Sequence, residues 1–409
     1  RYSMSPKKAH EVDNMVKLLA DLCDSLNCKT VVDFGAGQGG LGRALAIRHD
    51  LHVIGIESNK HNCEAGERRY KENVAHVRRH LRHTPGDASQ LVRHPDDHSR
   101  VGCYTAVHSY FDQPLSASQL LQLLEPHVPP GEQFVLTGLH ACGDLSPHII
   151  RVFASDELRG RAAGLALVGC CYQLVTEPHA LEEAQWCLES MKRKAGAEEQ
   201  GRAEETDATG SAESADKEAP ATCTTATAHL TAQLFGYPMS DLVRRMGARA
   251  TLNYGTRMLA TQCFARETWR TEQSFIAMQR TVSFRVILQR LLYDNYPALR
   301  VGGKLEQNVR IGPVPERASR SFHEYLSYVF AARLKDQEVP STELIETTLA
   351  GYNLDLLSKM TCLLHVVRVR MGTLVEEYLV SERAQFLRER GFKVAVQRVF
   401  DAEISPRGL

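Results

Sequence analysis

The strongest chemical signal in the sequence is a glycine-rich turn that follows an apolar run. Residues 31–42 read VVDFGAGQGGLG, which predicts a strand, a turn and the start of a helix. Glycine tolerates positive φ and lets a ligand lie against the backbone, so this turn is a candidate nucleotide-type site. A second apolar run ends in Glu57, whose carboxylate could accept hydrogen bonds from ribose hydroxyls.

Asp33 discriminates between the cofactors that use such a turn. Dinucleotide enzymes share the geometry, and Gly35, Gly37 and Gly40 even satisfy their G-x-G-x-x-G register. An acid two residues before the first glycine favours S-adenosylmethionine, because it can orient the sugar and the amino-acid end of that cofactor and would repel a pyrophosphate. We therefore predict methyl transfer rather than hydride transfer, with S-adenosylmethionine as the cofactor.

Two other segments could contact this cofactor. Lys7 and Lys8 follow Ser5-Pro6, which predicts a capped helix start. Their ammonium groups could reach the cofactor carboxylate or the substrate, and a solvated helix start explains them equally well. Asp87 follows a weak strand pattern and is a candidate for binding adenine. The predicted cofactor-binding residues are Lys7, Lys8, Asp33, Gly35, Gly37, Gln38, Gly39, Glu57 and Asp87.

A second group of reactive side chains follows two later apolar runs. Residues 139–146 read LHACGDLS and residues 168–173 read VGCCYQ. The carboxyl ends of parallel strands meet at one edge of a sheet, so we expect both segments to open onto one crevice. For Cys170 and Cys171 the alternative is that they are small buried hydrophobic residues.

Three functional interpretations fit these side chains. Cys142 or Cys170 could be a nucleophile, as in enzymes that methylate carbon 5 of pyrimidines, although neither has a flanking proline. His140, Cys142, Cys170 and Cys171 could hold a metal, although adjacent cysteines chelate one ion awkwardly. We favour the third, a pocket wall with no metal, because transfer to nitrogen or oxygen needs mainly alignment and a route for the proton. The predicted transfer-site residues are His140, Asp144 near the donor's amino group, Cys170, Cys171, and Tyr172 on the acceptor.

The elements that position these residues alternate between short apolar runs and helical patterns. This alternation predicts an α/β fold with a parallel sheet and crossover helices. Residues 239–379 are predicted to be mostly helical, and 391–399 and 400–404 to form two terminal strands. The other predicted strands are 30–34, 51–56, 133–139 and 164–169, and the predicted helices are 7–26, 39–48, 60–72 and 146–154.

Charge is distributed unevenly along the 409 residues, although the formal net charge is zero. Residues 195–221 contain eight acids, two bases and no aliphatic side chain larger than alanine, which predicts a disordered acidic insertion. Between Ser240 and Arg320 there are fourteen bases, thirteen of them arginine, and six acids. Arginine matches phosphate, so RNA is the leading predicted acceptor and a protein side chain the next. Solvated faces of amphipathic helices are the alternative explanation for these arginines.

The composition excludes several other classes of protein. A hydrophobic fraction of 43% and a charged fraction of 24% are typical of globular chains. Eleven scattered cysteines without a C-x-x-C pair disfavour a disulfide scaffold or a zinc ribbon and favour an intracellular location, cytoplasmic or nuclear. No run of eighteen apolar residues predicts a membrane span. Because the sequence begins with Arg1 and soon reaches a helical pattern, we expect a natural N-terminal segment to be missing.

Together these motifs resemble the methyltransferase-like protein 25 family. The resemblance spans nearly the whole chain and rests on residues 4–8 (MSPKK), 33–39 (DFGAGQG), 139–145 (LHACGDL), 169–172 (GCCY), 235–240 (FGYPMS) and 404–407 (ISPR). It implies a class I (Rossmann-like), seven-stranded methyltransferase that uses S-adenosylmethionine, with a helical insertion before the last two strands. The implied regions are a core over 1–190, the disordered acidic insertion over 191–229, a mostly helical region over 230–380 and C-terminal strands over 381–409.

Two finer comparisons concern the acceptor. The chain is also distantly similar to a tRNA 2′-O-methyltransferase family with a Cys-Cys-His element, and Tyr172 stands where that histidine would be. Enzymes that act on the adenine amino group usually carry an Asn/Asp/Ser-Pro-Pro-Tyr/Phe type of loop after the fourth strand. Residues 139–144 read LHACGD there, so the residues do not support adenine dimethylation. The non-enzymatic alternative is a binding protein that keeps the methyltransferase shape and the cofactor pocket.

Overall fold

The computed structural model describes residues 4–83, 101–110, 115–178, 235–261, 271–301, 304–305, 311–312, 314–401 and 403–405. Two compact units make up the chain. Unit 1 contains Arg1–Gln262 and Leu374–Leu409, and unit 2 contains Cys263–Thr373. Both ends of the predicted helical region 230–380 therefore belong with the sheet in unit 1. The predicted acidic insertion, 191–229, and Asp87 lie outside the described residues.

Unit 1 is built on a five-stranded parallel sheet with the strand order β3-β2-β1-β4-β5. The central strand β1 is buried along its whole length, as expected for a parallel strand with helices on both faces. The chain runs outward from β1 in one direction and from β4 in the other, so the gap between their carboxyl ends is a topological switch point. The strands are β1 (Thr30–Phe34), β2 (His52–Glu57), β3 (Tyr104–His108), β4 (Phe134–Cys142) and β5 (Ala162–Cys170).

The helices of unit 1 cover this sheet. Five of them alternate with the strands, which confirms the predicted α/β pattern. They are α1 (Pro6–Ser25), α2 (Gly40–His49), α3 (Lys60–His83), α4 (Ala117–Leu124) and α5 (Leu145–Phe153), followed by the short helices α6 (Asp241–Arg244) and α7 (Tyr254–Leu259) and the 3-10 turns Asp156–Leu158, Tyr172–Leu174 and Gly247–Ala250.

Helix α1 begins at a residue that its sequence specifies. The Ser5 hydroxyl accepts a hydrogen bond from the backbone N–H of Lys8 at 3.3 Å, and Pro6 occupies the first turn, where no N–H is needed. The helix buries an apolar stripe that includes Met15 and Leu19 against the sheet. This packing holds the first turn of α1 at the carboxyl edge of the strands.

The two predicted terminal strands are not found. The described residues contain five strands in the main sheet, and no strand is assigned within 391–401 or 403–405. Phe392 and Val394 pack against one side of the core and Phe400 against the other, whereas residues 395–398 between them are exposed. The apolar residues at the two ends of this segment thus pack against the core, but such packing alone does not supply the ladder hydrogen bonds of a strand. The prediction of seven strands is not confirmed.

The described part of unit 2 is mostly helical. Its core is formed by side chains such as Ile287, Leu291, Tyr325 and Val329. Its elements are α8 (Glu272–Asn295), a short antiparallel pair of β6 (Arg300–Val301) and β7 (Lys304–Leu305), α9 (Phe322–Arg333), α10 (Thr342–Ala350), the 3-10 turns Pro297–Leu299 and Glu316–Ala318, and α11 (Leu354–Glu389), whose residues from Leu374 onward belong to unit 1.

Within the described ranges, no helix is both long enough and apolar enough to span a membrane.

Candidate functional site

The glycine-rich turn joins β1 to α2 at the switch point of the sheet. Gly35, Gly37 and Gly39 have φ angles of 66°, 56° and 68°, in the left-handed region that glycine adopts without strain. A Cβ added to Gly37 would meet no atom within 4 Å, so the turn is open there. A Cβ on Gly39 would instead overlap the ring of Tyr104 from β3. The turn therefore has one open side and one side closed by Tyr104.

Asp33 lies directly before this turn in the middle of the sheet. The residue is 2% exposed, and the described residues donate no hydrogen bond to its carboxylate. Burial raises the pKa of Asp33 to about 7, the Lys8 ammonium partly offsets this increase, and the Glu57 carboxylate adds to it. A buried carboxylate without such a partner is costly, which makes this position a candidate for contact with a cationic ligand.

Glu57 ends the neighbouring strand β2 and faces the same turn. Its two carboxylate oxygens accept hydrogen bonds from the backbone N–H groups of Gly37 at 2.8 Å and Asn59 at 2.9 Å. These two bonds fix the orientation of a half-buried carboxylate, and carboxylate oxygens have further lone pairs that can accept from a ligand. Its position is compatible with the predicted contact to ribose hydroxyls.

Of the remaining predicted cofactor-binding residues, some lie beside the glycine-rich turn and others do not. Lys8 lies beside the turn, with its Cε 3.5 Å from the position that a Cβ on Gly40 would take. Gln38 is exposed on the turn, and its amide contacts Asn62 and Arg69 of α3. Lys7 points elsewhere, as described next. The structure thus gathers the β1 turn, Glu57 and Lys8 at one place.

A second buried carboxylate, Glu11, lies one turn further along α1. It is 2% exposed and was not predicted as a site residue. His140 Nε2 is 3.0 Å from Glu11 Oε2, the Ser405 hydroxyl donates to Oε1 at 2.6 Å, and Lys7 Nζ lies 3.5 Å from Oε1. Burial alone would raise the pKa of Glu11, but the hydrogen bonds from His140 and Ser405 hold it at about 2. We call these four residues the Glu11 cluster.

His140 sits at an irregularity of β4. It is a non-glycine residue with a φ of 70°, and the pairing of β4 with β5 shifts register between Leu139 and Ala141. This left-handed turn moves the imidazole out of the alternation of the strand and toward Glu11, while the ring remains partly exposed. The carboxylate therefore orients an accessible imidazole at the carboxyl end of β4, which is an arrangement able to accept a proton.

Asp144, predicted to lie near the donor's amino group, accepts hydrogen bonds from the segment after β5. Its Oδ1 accepts from the backbone N–H of Thr176 at 2.9 Å, and its Oδ2 accepts from the Thr176 hydroxyl at 2.5 Å. Gly236 packs so closely on the carboxylate that a Cβ there would overlap it. Asp144 therefore holds the segment after β5 to the segment around Gly236.

Tyr172, predicted to contact the acceptor, is completely buried. Its ring packs with Val375 and Leu379 of α11, and the Arg383 guanidinium lies 5.4 Å from the ring centroid. Burial, together with the nearby Glu376 carboxylate, raises the pKa of Tyr172. The ring is not open to solvent, because the chain after β5 turns inward at this residue.

The three cysteines at the ends of β4 and β5 do meet, as predicted for one crevice. Cys142 and Cys170 are register partners on adjacent strands, and their sulfurs are 2.9 Å apart. The sulfurs of Cys142, Cys170 and Cys171 all lie within 4.8 Å of one another. Cys142 is exposed, Cys171 half-buried and Cys170 buried, so one side of the group is accessible.

The arginine-rich stretch between Ser240 and Arg320 contains side chains with different roles. Arg257 is 1% exposed and forms an ion pair with Glu177, so it supports the fold and does not belong to an RNA-binding surface. Arg290 pairs with Asp294 at 2.7 Å. Arg245 and Arg249 in unit 1, and Arg285, Arg317 and Arg320 in unit 2, are exposed. Arg266, Arg270 and Arg310 lie outside the described residues.

Comparisons with known proteins agree with this architecture. Residues 7–178 match a family model described as a methyltransferase domain. The chain is 21% identical to the Homo sapiens protein described as "Probable methyltransferase-like protein 25" in an alignment of 300 residues that covers 45% of this chain and 49% of that protein. It is 22% identical to the Mus musculus protein of the same description over 299 residues, which cover 45% of this chain and 50% of that protein.

The chain spans about half the length of the curated relatives it matches. The resemblance to methyltransferase-like protein 25 is confirmed as a similarity, and residues 7–178 match a model of a methyltransferase domain. The matched segment ends just after β5 and contains Asp33, Glu57, the Glu11 and His140 pair and the three cysteines.

Proposed function

We propose that the chain is an S-adenosylmethionine-dependent methyltransferase whose cofactor binds at the open glycine-rich turn. The observation that carries this proposal is Asp33, a 2% exposed carboxylate to which the described residues donate no hydrogen bond, at the base of that turn. A cationic ligand group would compensate its charge, whereas a pyrophosphate would be repelled. The match of residues 7–178 to a methyltransferase domain supports the proposal.

The chain's own groups have separate roles in holding the cofactor. Asp33 attracts the positively charged group of the cofactor. Glu57 is already oriented by the N–H groups of Gly37 and Asn59, and it accepts hydrogen bonds from the ribose hydroxyls. Lys8 beside the turn is placed to attract the carboxylate of the amino-acid end. When bound, S-adenosylmethionine supplies a methyl group on a sulfonium that a nitrogen or oxygen nucleophile can attack.

His140 is the residue proposed to take the acceptor proton. Its imidazole is partly exposed at the carboxyl end of β4, and Glu11 fixes its orientation through Nε2. Glu11 is a positioning residue, because its own oxygens are occupied by His140, Ser405 and Lys7. Methyl transfer requires alignment and removal of one proton, and these two residues serve the second need.

Calorimetry with S-adenosylmethionine tests the cofactor site. We expect binding by the natural chain and a loss of about two orders of magnitude in affinity, about 3 kcal/mol, for Asp33→Ala, because a buried charge loses its partner. Glu57→Ala is expected to lose roughly tenfold, as for one or two hydrogen bonds. Asp13→Asn is the control, since Asp13 forms a surface pair with Arg48.

Two outcomes would reject the cofactor site. One is no detectable binding of S-adenosylmethionine at high ligand concentration. The other is an affinity that Asp33→Ala and Glu57→Ala leave equal to that of Asp13→Asn. Binding of a nicotinamide dinucleotide with equal strength would reject the choice of cofactor.

We propose that the acceptor is RNA and that the protein acts inside the cell, in the cytoplasm or nucleus. Support comes from the excess of arginine between Ser240 and Arg320, of which Arg245 and Arg249 are exposed on unit 1, the unit that holds the sheet. Arg257 is left out of this surface because it is buried against Glu177.

A labelled methyl donor distinguishes the acceptors. The chain is incubated with total RNA and, separately, with total protein from cells that lack it. We expect label in RNA. The double variant Arg245→Ala/Arg249→Ala is expected to incorporate roughly tenfold less label, because its contacts to phosphate are lost. Label in protein alone would reject RNA and leave methyl transfer standing. Label in neither fraction would favour a binding protein without turnover.

A further inference from the structure

The three cysteines at the strand ends form a compact sulfur group that methyl transfer does not use. One ligand atom of each of Cys142, Cys170 and Cys171 lies within 4.8 Å of the other two, and the described cysteines form no disulfide. The residues come from two adjacent parallel strands and the turn that follows the second one. The thiol of β4 therefore meets two consecutive thiols at the end of β5.

Their convergence depends on two unusual backbone conformations. Successive side chains of a strand point to opposite faces, so Cys170 and Cys171 would normally diverge. Cys171 instead has φ 51° and ψ 46°, a left-handed conformation that is uncommon for a non-glycine residue, and this brings its sulfur back toward Cys170. His140, two residues before Cys142, is also left-handed. Such conformations cluster at ligand sites.

The spacing of the sulfurs suits a thiophilic metal ion. A zinc–sulfur bond of about 2.3 Å and tetrahedral angles place two ligand sulfurs about 3.8 Å apart. In the observed group one pair of sulfurs is separated by 2.9 Å and no pair exceeds 4.8 Å, so the three atoms lie within the range of distances that one ion requires. Soft thiolate ligands select zinc and similar ions over magnesium or calcium.

We propose that Cys142, Cys170 and Cys171 bind one thiophilic cation, with Zn²⁺ as the first candidate, and that its fourth position opens to solvent beside the exposed Cys142. Each cysteine gives one proton to solvent and one S–Zn bond forms per thiolate, with no change in oxidation state. His140, the fourth ligand considered from the sequence, contacts Glu11 instead. The proposal departs from the prediction that these cysteines only line the pocket.

The site is tested by metal binding alone, without cofactor or acceptor. The chain is purified in chelator and titrated with Zn²⁺, and with Co²⁺ for its thiolate-to-metal charge-transfer absorption. The background carries Cys187→Ser, Cys223→Ser and Cys263→Ser, because these residues lie outside the described part of the chain. We expect uptake of about one ion per chain and a cobalt spectrum of a tetrahedral thiolate site.

Single substitutions identify the ligands. Cys142→Ser and Cys171→Ser are each expected to weaken binding by at least roughly tenfold and to reduce the charge-transfer absorption by about a third, as one of three thiolates is lost. Cys103→Ser is the matched control, because Cys103 is also exposed and lies outside the group. Circular dichroism of each variant confirms that it is folded.

Clear results would overturn the proposal. One is the absence of stoichiometric uptake by the background protein. Another is binding that a folded Cys142→Ser variant retains at full strength, or that Cys103→Ser weakens as much. Because no activity is measured, either result leaves the proposed methyl transfer intact, and a failure of methyl transfer leaves the metal site intact.

Discussion

Two buried carboxylates at the carboxyl edge of the sheet, Asp33 and Glu11, show opposite behaviour. Each is 2% exposed, yet the pKa of Asp33 is raised to about 7 and that of Glu11 is lowered to about 2. Glu11 has His140, Ser405 and Lys7 around it, whereas the described residues donate no hydrogen bond to Asp33. Because the two residues are equally buried, the opposite directions of their pKa shifts follow from their different partners.

The comparison predicts opposite pH dependences of stability. The folded pKa of Glu11 lies below its unfolded value of 4.5, so its stabilisation is present above pH 4.5 and is lost as the pH falls toward 2. The folded pKa of Asp33 lies above its unfolded value of 3.8, so the cofactor-free protein loses stability as the pH rises from about 4 through about 7. Substitution of each residue separates the two effects.

The largest expected change in stability follows Glu11→Ala. Its loss leaves His140 and the buried Ser405 hydroxyl without their partner, and we expect a decrease of about 3 kcal/mol in the free energy of unfolding at pH 7. Urea unfolding monitored by circular dichroism measures it, with the surface variant Asp13→Asn as the control. A decrease no greater than that of the control would contradict the structural role given to the Glu11 cluster.

Asp33→Asn is expected to change the free energy of unfolding in the opposite direction. At pH 8 without cofactor the change removes a buried charge that lacks a hydrogen-bond donor, so the free energy of unfolding should rise by about 2 kcal/mol. At pH 4, where the natural carboxyl is protonated, the two proteins should have nearly equal stability. A variant that is less stable than the natural protein at pH 8 would show that Asp33 is a structural carboxylate like Glu11.

Ser405→Ala is expected to have the smallest effect on stability of the three substitutions. The Ser405 hydroxyl donates one hydrogen bond to Glu11, so we expect a loss of about 1 kcal/mol and an upward shift in the pKa of Glu11. Thermal unfolding at pH 7 and pH 3 measures the loss of stability and the shift in pKa, because the difference in stability between the variant and the natural protein should be smaller at pH 3. An effect of 2 kcal/mol or more would mean that the C-terminal segment contributes more than this bond.

The parts of the fold that were predicted correctly depend on local signals. The apolar run over Thr30–Phe34 and the glycine-rich turn after it specify β1 and the start of α2 within a few residues of chain. Ser5 and Pro6 specify the start of α1 in the same way. The position of Asp33 directly before the glycine-rich turn follows from the same local signals.

The parts that were not predicted depend on contacts between distant residues. Glu11 is 129 positions from His140 and 394 from Ser405, and its only local signal is an acid on the buried face of α1 beside Lys7. The short strand β3 was missed, and with it Tyr104, which closes one side of the glycine-rich turn. A single sequence carries no pairing information of this range.

Conformation explains the remaining differences at the site. Cys170 and Cys171 were expected to chelate one ion awkwardly because they are adjacent. In a regular strand their side chains would diverge, but Cys171 has a left-handed φ of 51°. The Tyr172 ring, which follows this turn, is completely buried. Such a conformation at a non-glycine residue cannot be recognised from residue type, since it is maintained by the surrounding packing.

The most direct test is the affinity for S-adenosylmethionine as a function of pH, measured by calorimetry on the natural protein and on Asp33→Asn. Because the cofactor's cationic end requires an ionised Asp33, whose pKa is about 7 without ligand, the affinity of the natural protein should fall about tenfold for each pH unit below 7. Asp33→Asn should bind more weakly and show no such slope. A natural protein whose affinity is constant between pH 5 and pH 8, or an equal slope in both proteins, would contradict the account.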